Sequence, residues 1–300
     1  MRILQRYLSM GLVMAAAVSL IAGCGNSNET MRQRLGMLGD PRLDAAVRRN
    51  IEATGGLDAW AGIERIEGRA IATTFDTDGG RTLVEQRHTV LPGNTGKPVC
   101  LTIVSNEPTG RLTEQRDRKS LARIKRTNNK KTIVEKDQNT LFGAQIKLFL
   151  ESQALTGCTS LLREGLILRY EGLERQGGRV NHKVEVSGRL LNRNKSTGGL
   201  LEKAIFWKNK SPESILDDIA VLWINAETAL IERIWLRYQK PHRPDEFGYM
   251  AVHVLDYEQM GTLKLPRRLE FVPTDEHQHF SKRNMMLVEF EYLTAIEKTK

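Results

Sequence analysis

What most constrains this chain is how often its apolar pattern is cut by turn residues. Residues 230–239 alternate, with Ile231, Arg233, Trp235 and Arg237 on one face and Glu232, Ile234, Leu236 and Tyr238 on the other. A period of two is the signature of a half-buried strand. The same reading extends to 68–76, 82–90, 99–105, 121–126, 131–136, 166–173, 180–186, 204–208, 220–225, 249–257, 263–272 and 284–295. Turns separate these runs, at Asp78-Gly79-Gly80, Gln176-Gly177-Gly178-Arg179, Pro241-His242-Arg243-Pro244 and Met260-Gly261. No linker interrupts the later runs, so one continuous antiparallel sheet is the simplest account.

Helical spacing is confined to two places. Asp40-Pro41 reads as an N-cap followed by proline at the first helical position. Leu43, Val47 and Ile51 follow on one face, and Gly55-Gly56 ends the run. Leu57, Trp60 and Ile63 then share a face of a second short helix. Further on, Phe142, Ile146, Phe149 and Leu150 give residues 141–155 a helical period, with Gly157 as C-cap and another helical turn over 160–164.

The first 24 residues read differently. Arg2 and Arg6 precede an apolar run from Gly11 to Ile21, and Ala22-Gly23 lead into Cys24. That run is too short to cross ~30 Å of hydrocarbon, and the layout is that of a signal peptide. The junction at Cys24 resembles the lipobox of bacterial lipoproteins. The resemblance implies cleavage before Cys24, lipid on Cys24, and a membrane anchor. Residues 1–23 are then a signal peptide, 24–40 a flexible tether opening on Gly25-Asn26-Ser27-Asn28, and 41–300 the folded domain. Gly25, where aspartate favours inner-membrane retention in enterobacterial sorting, points to the outer membrane and its periplasmic face.

The chain carries a net charge of +9. Export argues against nucleic acid as the counter-charge and favours anionic lipid or an envelope polymer. Positive charge concentrates in residues 111–136, which hold ten Lys and Arg. Arg116, Arg118, Lys119, Arg123, Lys125, Arg126, Lys130 and Lys131 are the candidates for a polyanion site; a solvated edge strand is the plainer reading. With Cys24 assigned to lipid, Cys100 and Cys158 remain, either as one disulfide or as two buried thiols.

Four patches resemble the LolA/LolB-like superfamily of lipoprotein carriers and its outer membrane lipoprotein-sorting relatives. They are the runs from Leu222 to Leu230, from Asp256 to Pro266, from Ala53 to Trp60 and from Gly178 to Val186. The resemblance implies an α+β, mostly β fold: one curved antiparallel sheet, a half-barrel, packed around N-terminal and mid-chain helices. It also implies an apolar cavity for acyl chains, with Leu57, Trp60, Phe149, Trp223 and Trp235 as candidate lining residues. Each has a plainer reading as core.

Sequence signals for catalysis are absent: there is no nucleophile elbow, zinc-protease helix, P-loop or dinucleotide fingerprint. In a strand, His277 and His279 would share a face and could take a metal, but no third ligand is evident, and an exposed loop is the better reading. The expectation is a non-enzymatic envelope protein without a cofactor. It would hold a lipid, lipoprotein or glycolipid in a cavity. The alternative is a structural lipoprotein with a packed core and a basic segment for an anionic polymer.

Overall fold

The computed structural model describes residues 35, 38–76, 78–92, 99–107, 110–116, 122–128, 131–162, 166–188, 218–240, 243–281 and 285–298. Cys24, the signal-peptide and most of the tether residues, and the strand expected at 204–208 lie outside them.

Two helices open the fold. Helix α1 (Pro41–Ala53) starts as its sequence dictates, with the Asp40 carboxylate accepting from the Arg42 amide at 2.8 Å and Pro41 at the first turn. Helix α2 (Gly56–Gly62) follows directly. Six strands come next: β1 (Ile63–Phe75), β2 (Arg81–Leu91), β3 (Cys100–Glu107), β4 (Gly110–Arg116), β5 (Ala122–Asn128) and β6 (Lys131–Val134). Helix α3 (Gln138–Thr156) and a 3-10 turn (Gly157–Leu161) lead to seven more. These are β7 (Leu166–Gln176), β8 (Arg179–Gly188), β9 (Asp218–Asn225), β10 (Ile231–Lys240), β11 (Arg243–Met260), β12 (Leu263–Pro273) and β13 (Met286–Glu297).

All thirteen strands form one antiparallel sheet that does not close into a barrel, in the order β6-β5-β4-β3-β2-β1-β13-β12-β11-β10-β9-β8-β7. Each half is a meander of sequential neighbours, and the first and last strands join the halves in the middle. The chain passes from edge strand β6 to edge strand β7 by way of α3 and the 3-10 turn. Laid flat, thirteen strands would span ~58 Å, whereas a 19-residue helix covers only ~28 Å. The sheet therefore curves around the helix that ties its two edges together, which gives the half-barrel expected from sequence.

The main core lies on the concave face. Ile66, Ala70, Leu101, Ile103, Val184, Leu222, Ile234, Val252, Leu269 and Val288 all face it, against Val47 and Ile51 of α1 and Leu148 and Phe149 of α3. From Leu148 to Cys158 every residue is buried, so the C-terminal half of α3 is enclosed on all sides rather than resting on one apolar stripe.

Three expectations are corrected. Strand β4 went unread because it is short and polar, and its Arg116 points inward. Strand β10 does not keep Ile231 on the face of Arg233 and Trp235, because a register shift between Ile231 and Arg233 turns Ile231 into the main core. The loop expected around Pro241 is shorter, since β11 already begins at Arg243.

Candidate functional site

Two regions bring together residues with chemistry to offer, one on each face of the sheet. Inside the trough, α3 carries polar side chains that are matched one by one from the strands above. Glu151 lies 2.6 Å from Nδ1 of His88 on β2, and both side chains are fully buried. His88 Nε2 faces Gln86 at 3.2 Å, and its ring meets Phe290 edge-on at 5.1 Å. Gly68 leaves space beside this stack: a Cβ there would lie 2.5 Å from Leu293. Arg116 on β4 donates to Ser152 at 2.8 Å and sits over the Phe149 ring at 5.0 Å. Lys147 pairs with Glu114 at 2.7 Å, and that carboxylate, with Glu151, keeps the ammonium charged despite its burial.

Alternation on β2 and β4 places these partners. His88 and Arg116 take inward positions while Arg87 and Gln115 do not. A buried polar pair is a poor source of stability, because desolvation offsets its attraction. Here the His88–Glu151 contact joins α3 to β2.

Helix α1, besides its apolar packing, is tied down by the side chain of Asn50. Asn50 donates to the Ala229 carbonyl at 2.8 Å and accepts from the Cys158 amide at 3.0 Å, tying α1 to the β9–β10 turn and the 3-10 turn. Gly157 is needed beside it, with φ of 58° and a Cβ position 3.1 Å from Asn50 Oδ1. Trp60 donates to Thr54 at 3.3 Å.

Leu57, Trp60 and Phe149 thus belong to the concave core, at 7%, 1% and 0% exposure. Trp223 and Trp235 do not join them. Alternation on β9 and β10 puts both on the outer face, in a second small core with Val221, Ala251 and Val272. Residues 274–281 fold over that core: Trp235 donates to Thr274 at 2.9 Å, Arg233 to Gln278 at 3.2 Å, and His253 meets Phe280 edge-on at 4.7 Å. His277 and His279 sit on this cover and are exposed; His279 Nδ1 is 2.9 Å from Asp275. Hydrogen bonds from His279, backbone first, hold the Asp275 carboxyl below the usual range. Among the described residues no three groups are placed to share a metal.

The basic segment is dispersed. Arg116 is 1% exposed inside the trough, so it is no part of a polyanion surface. Arg126 pairs with Glu107 at 2.9 Å. Arg123, Lys125 and Lys131 are exposed; Arg118, Lys119 and Lys130 lie outside the described residues. Cys100 and Cys158 are both buried and unbridged, which corrects the disulfide alternative: Cys100 opens β3, while Cys158 is fixed in the 3-10 turn under Asn50. Sequence reasoning passed over His88, Asn181 and Arg233, placed by strand register, and Glu151, placed by the packing of α3 against β2.

No protein-family model matches this sequence, and no curated protein matches it. Solved structures do. A DUF1329 family protein from Desulfovibrio piger aligns with a TM-score of 0.51 at 11% identity, covering 84% of this chain and 92% of that one. A putative outer membrane lipoprotein-sorting protein domain from Vibrio parahaemolyticus aligns with a TM-score of 0.49 at 6% identity, over 85% and 93%. A LolA superfamily protein from Nitrosomonas europaea aligns with a TM-score of 0.43 at 11% identity, over 81% and 93%. The curved antiparallel sheet around helices is thus a fold this chain shares with the Desulfovibrio piger protein, and at 11% identity the likeness is one of fold.

Proposed function

We propose that this chain is a lipid-anchored envelope protein that holds an acyl chain, lipoprotein or glycolipid along the concave face of its sheet, and that it binds rather than catalyses. One observation carries the reading: an open half-barrel with a largely apolar inner face is filled by helices, α1 and above all the long α3. Among the described residues, that helix meets the β2–β4 half of the sheet through discrete polar pairs. Displacing α3 would leave an apolar trough, and each methylene laid there contributes ~0.8 kcal/mol. Lipid on Cys24 would hold the domain at the periplasmic face of the outer membrane. An anchored protein fits a receiving or maintenance role better than a soluble shuttle.

The complete burial of residues 148–158 favours a second reading. In it the trough is permanently filled, and exposed cations such as Arg123, Lys125 and Lys131 face an anionic envelope polymer. Native mass spectrometry separates the two, on Cys24→Ala protein purified from its own envelope. The first reading expects a stoichiometric co-purifying lipid or acylated peptide. A clean apo mass with no uptake of offered lipid selects the second.

A further inference from the structure

On the outer face, strand register sets a row of side chains. Lys183, Trp223, Arg233 and His253 stand side by side across β8, β9, β10 and β11. A cleft of about 470 Å³ opens next to them, near the β7–β8 turn at Gln176 and Gly177, with Asn181, Trp223 and Arg233 among its lining residues. Those three are 2%, 1% and 4% exposed. Each keeps a buried polar atom with no protein hydrogen-bond partner: Asn181 Oδ1, Trp223 Nε1 and Arg233 Nε. Leaving such an atom unmatched is costly, and three in the lining of one cleft is a concentration that packing alone does not explain.

Charge is unbalanced in the same place. Glu232 is satisfied by Arg179 at 2.8 Å and Asn225 at 2.9 Å. Glu174 lies 3.3 Å from Lys183 and only 3.9 Å from Arg233. Three cations therefore share two carboxylates, and the least matched cation is the buried one. Arg233 stacks on Trp223, its guanidinium carbon 3.5 Å from the ring centroid, and donates to the neutral Gln278. Burial lowers its pKa to about 10, with Glu174 opposing, so it stays charged at neutral pH. A buried charge without a close counter-ion is costly, and an anion in the cleft would remove that cost.

We infer that the outer-face cleft binds a small hydroxylated anion, a sugar carboxylate or sugar phosphate. Its acidic oxygens accept from Arg233 and Trp223, and a hydroxyl donates to Asn181. The site is separate from the trough and stands whether or not the trough takes lipid.

Calorimetric titration of the full chain carrying Cys24→Ala tests it, with glucuronate, glucose 6-phosphate, inorganic phosphate and methyl glucoside as probes. Saturable binding of glucuronate or glucose 6-phosphate, and none of methyl glucoside, is expected; which of the two binds tells a carboxylate source from a phosphate source. Asn181→Ala should weaken binding about tenfold, and Arg233→Gln should abolish it. Arg179→Gln, at an exposed rim position that leaves the fold intact, should weaken it several-fold by unmasking Glu232. Far-UV circular dichroism and melting curves establish that each variant is folded. The inference is overturned by the absence of saturable binding, by inorganic phosphate binding as tightly as glucose 6-phosphate, or by folded variants binding like the parent.

Discussion

At the scale of single residues, burial decides chemistry. The Cys158 thiol, 1% exposed, has its pKa pushed up to about 12 by desolvation. Since the thiolate is the reactive form, Cys158 should resist alkylation at mildly alkaline pH in the native Cys24→Ala protein. In denaturant without reductant, two thiols should titrate; finding none would mean that Cys100 and Cys158 are bridged after all. His253 is the second case. Burial first, and then Arg233, lower its pKa from 6.5 to about 4. On acidification the unfolded chain takes up this proton before the folded one does. The contribution is full above pH 6.5 and drains as pH falls toward 4. His253→Gln should flatten that part of the urea-midpoint profile against pH, and an unchanged acid slope would show that other groups set it.

Among the elements, α3 departs furthest from its sequence. Phe142, Ile146, Phe149 and Leu150 imply a helix with one apolar stripe, yet Glu151, Ser152 and Gln153 are buried as deeply as they are. Nothing within the helix foretells this, because the matching groups sit on β2 and β4, dozens of residues earlier. Glu151→Ala should cost about 3 kcal/mol in urea unfolding by stranding His88. Replacing His88 and Glu151 together with leucine should cost much less, and equal losses would mean the two side chains do not act as a pair. The strands were far more legible. Alternation marked β1, β2, β8, β10 and β12 because each has one dry and one wet or half-wet face. It failed at β4, where the inward residue is Arg116, and at the bulge before Arg233, which reverses a face mid-strand. Trp223 and Trp235, expected among the lining of an inner cavity, stand on the outer face instead, since alternation gives two faces without saying which one a helix covers.

The molecule as a whole is two meanders meeting at β1 and β13, strands that lie more than two hundred residues apart in sequence. Every other strand pair joins sequence neighbours, with only β8 and β9 separated by a longer connection, so most of the sheet forms from local contacts. The central seam is the exception, and it has a temporal consequence. The strand that completes it is the last of the thirteen in chain order. Until β13 arrives, β1 and β12 each present a bare edge in the middle of what will become the sheet, open to pairing with another chain. A chain truncated before Met286 would keep two half-sheets joined only through the helices and the shared core, with both bare edges exposed.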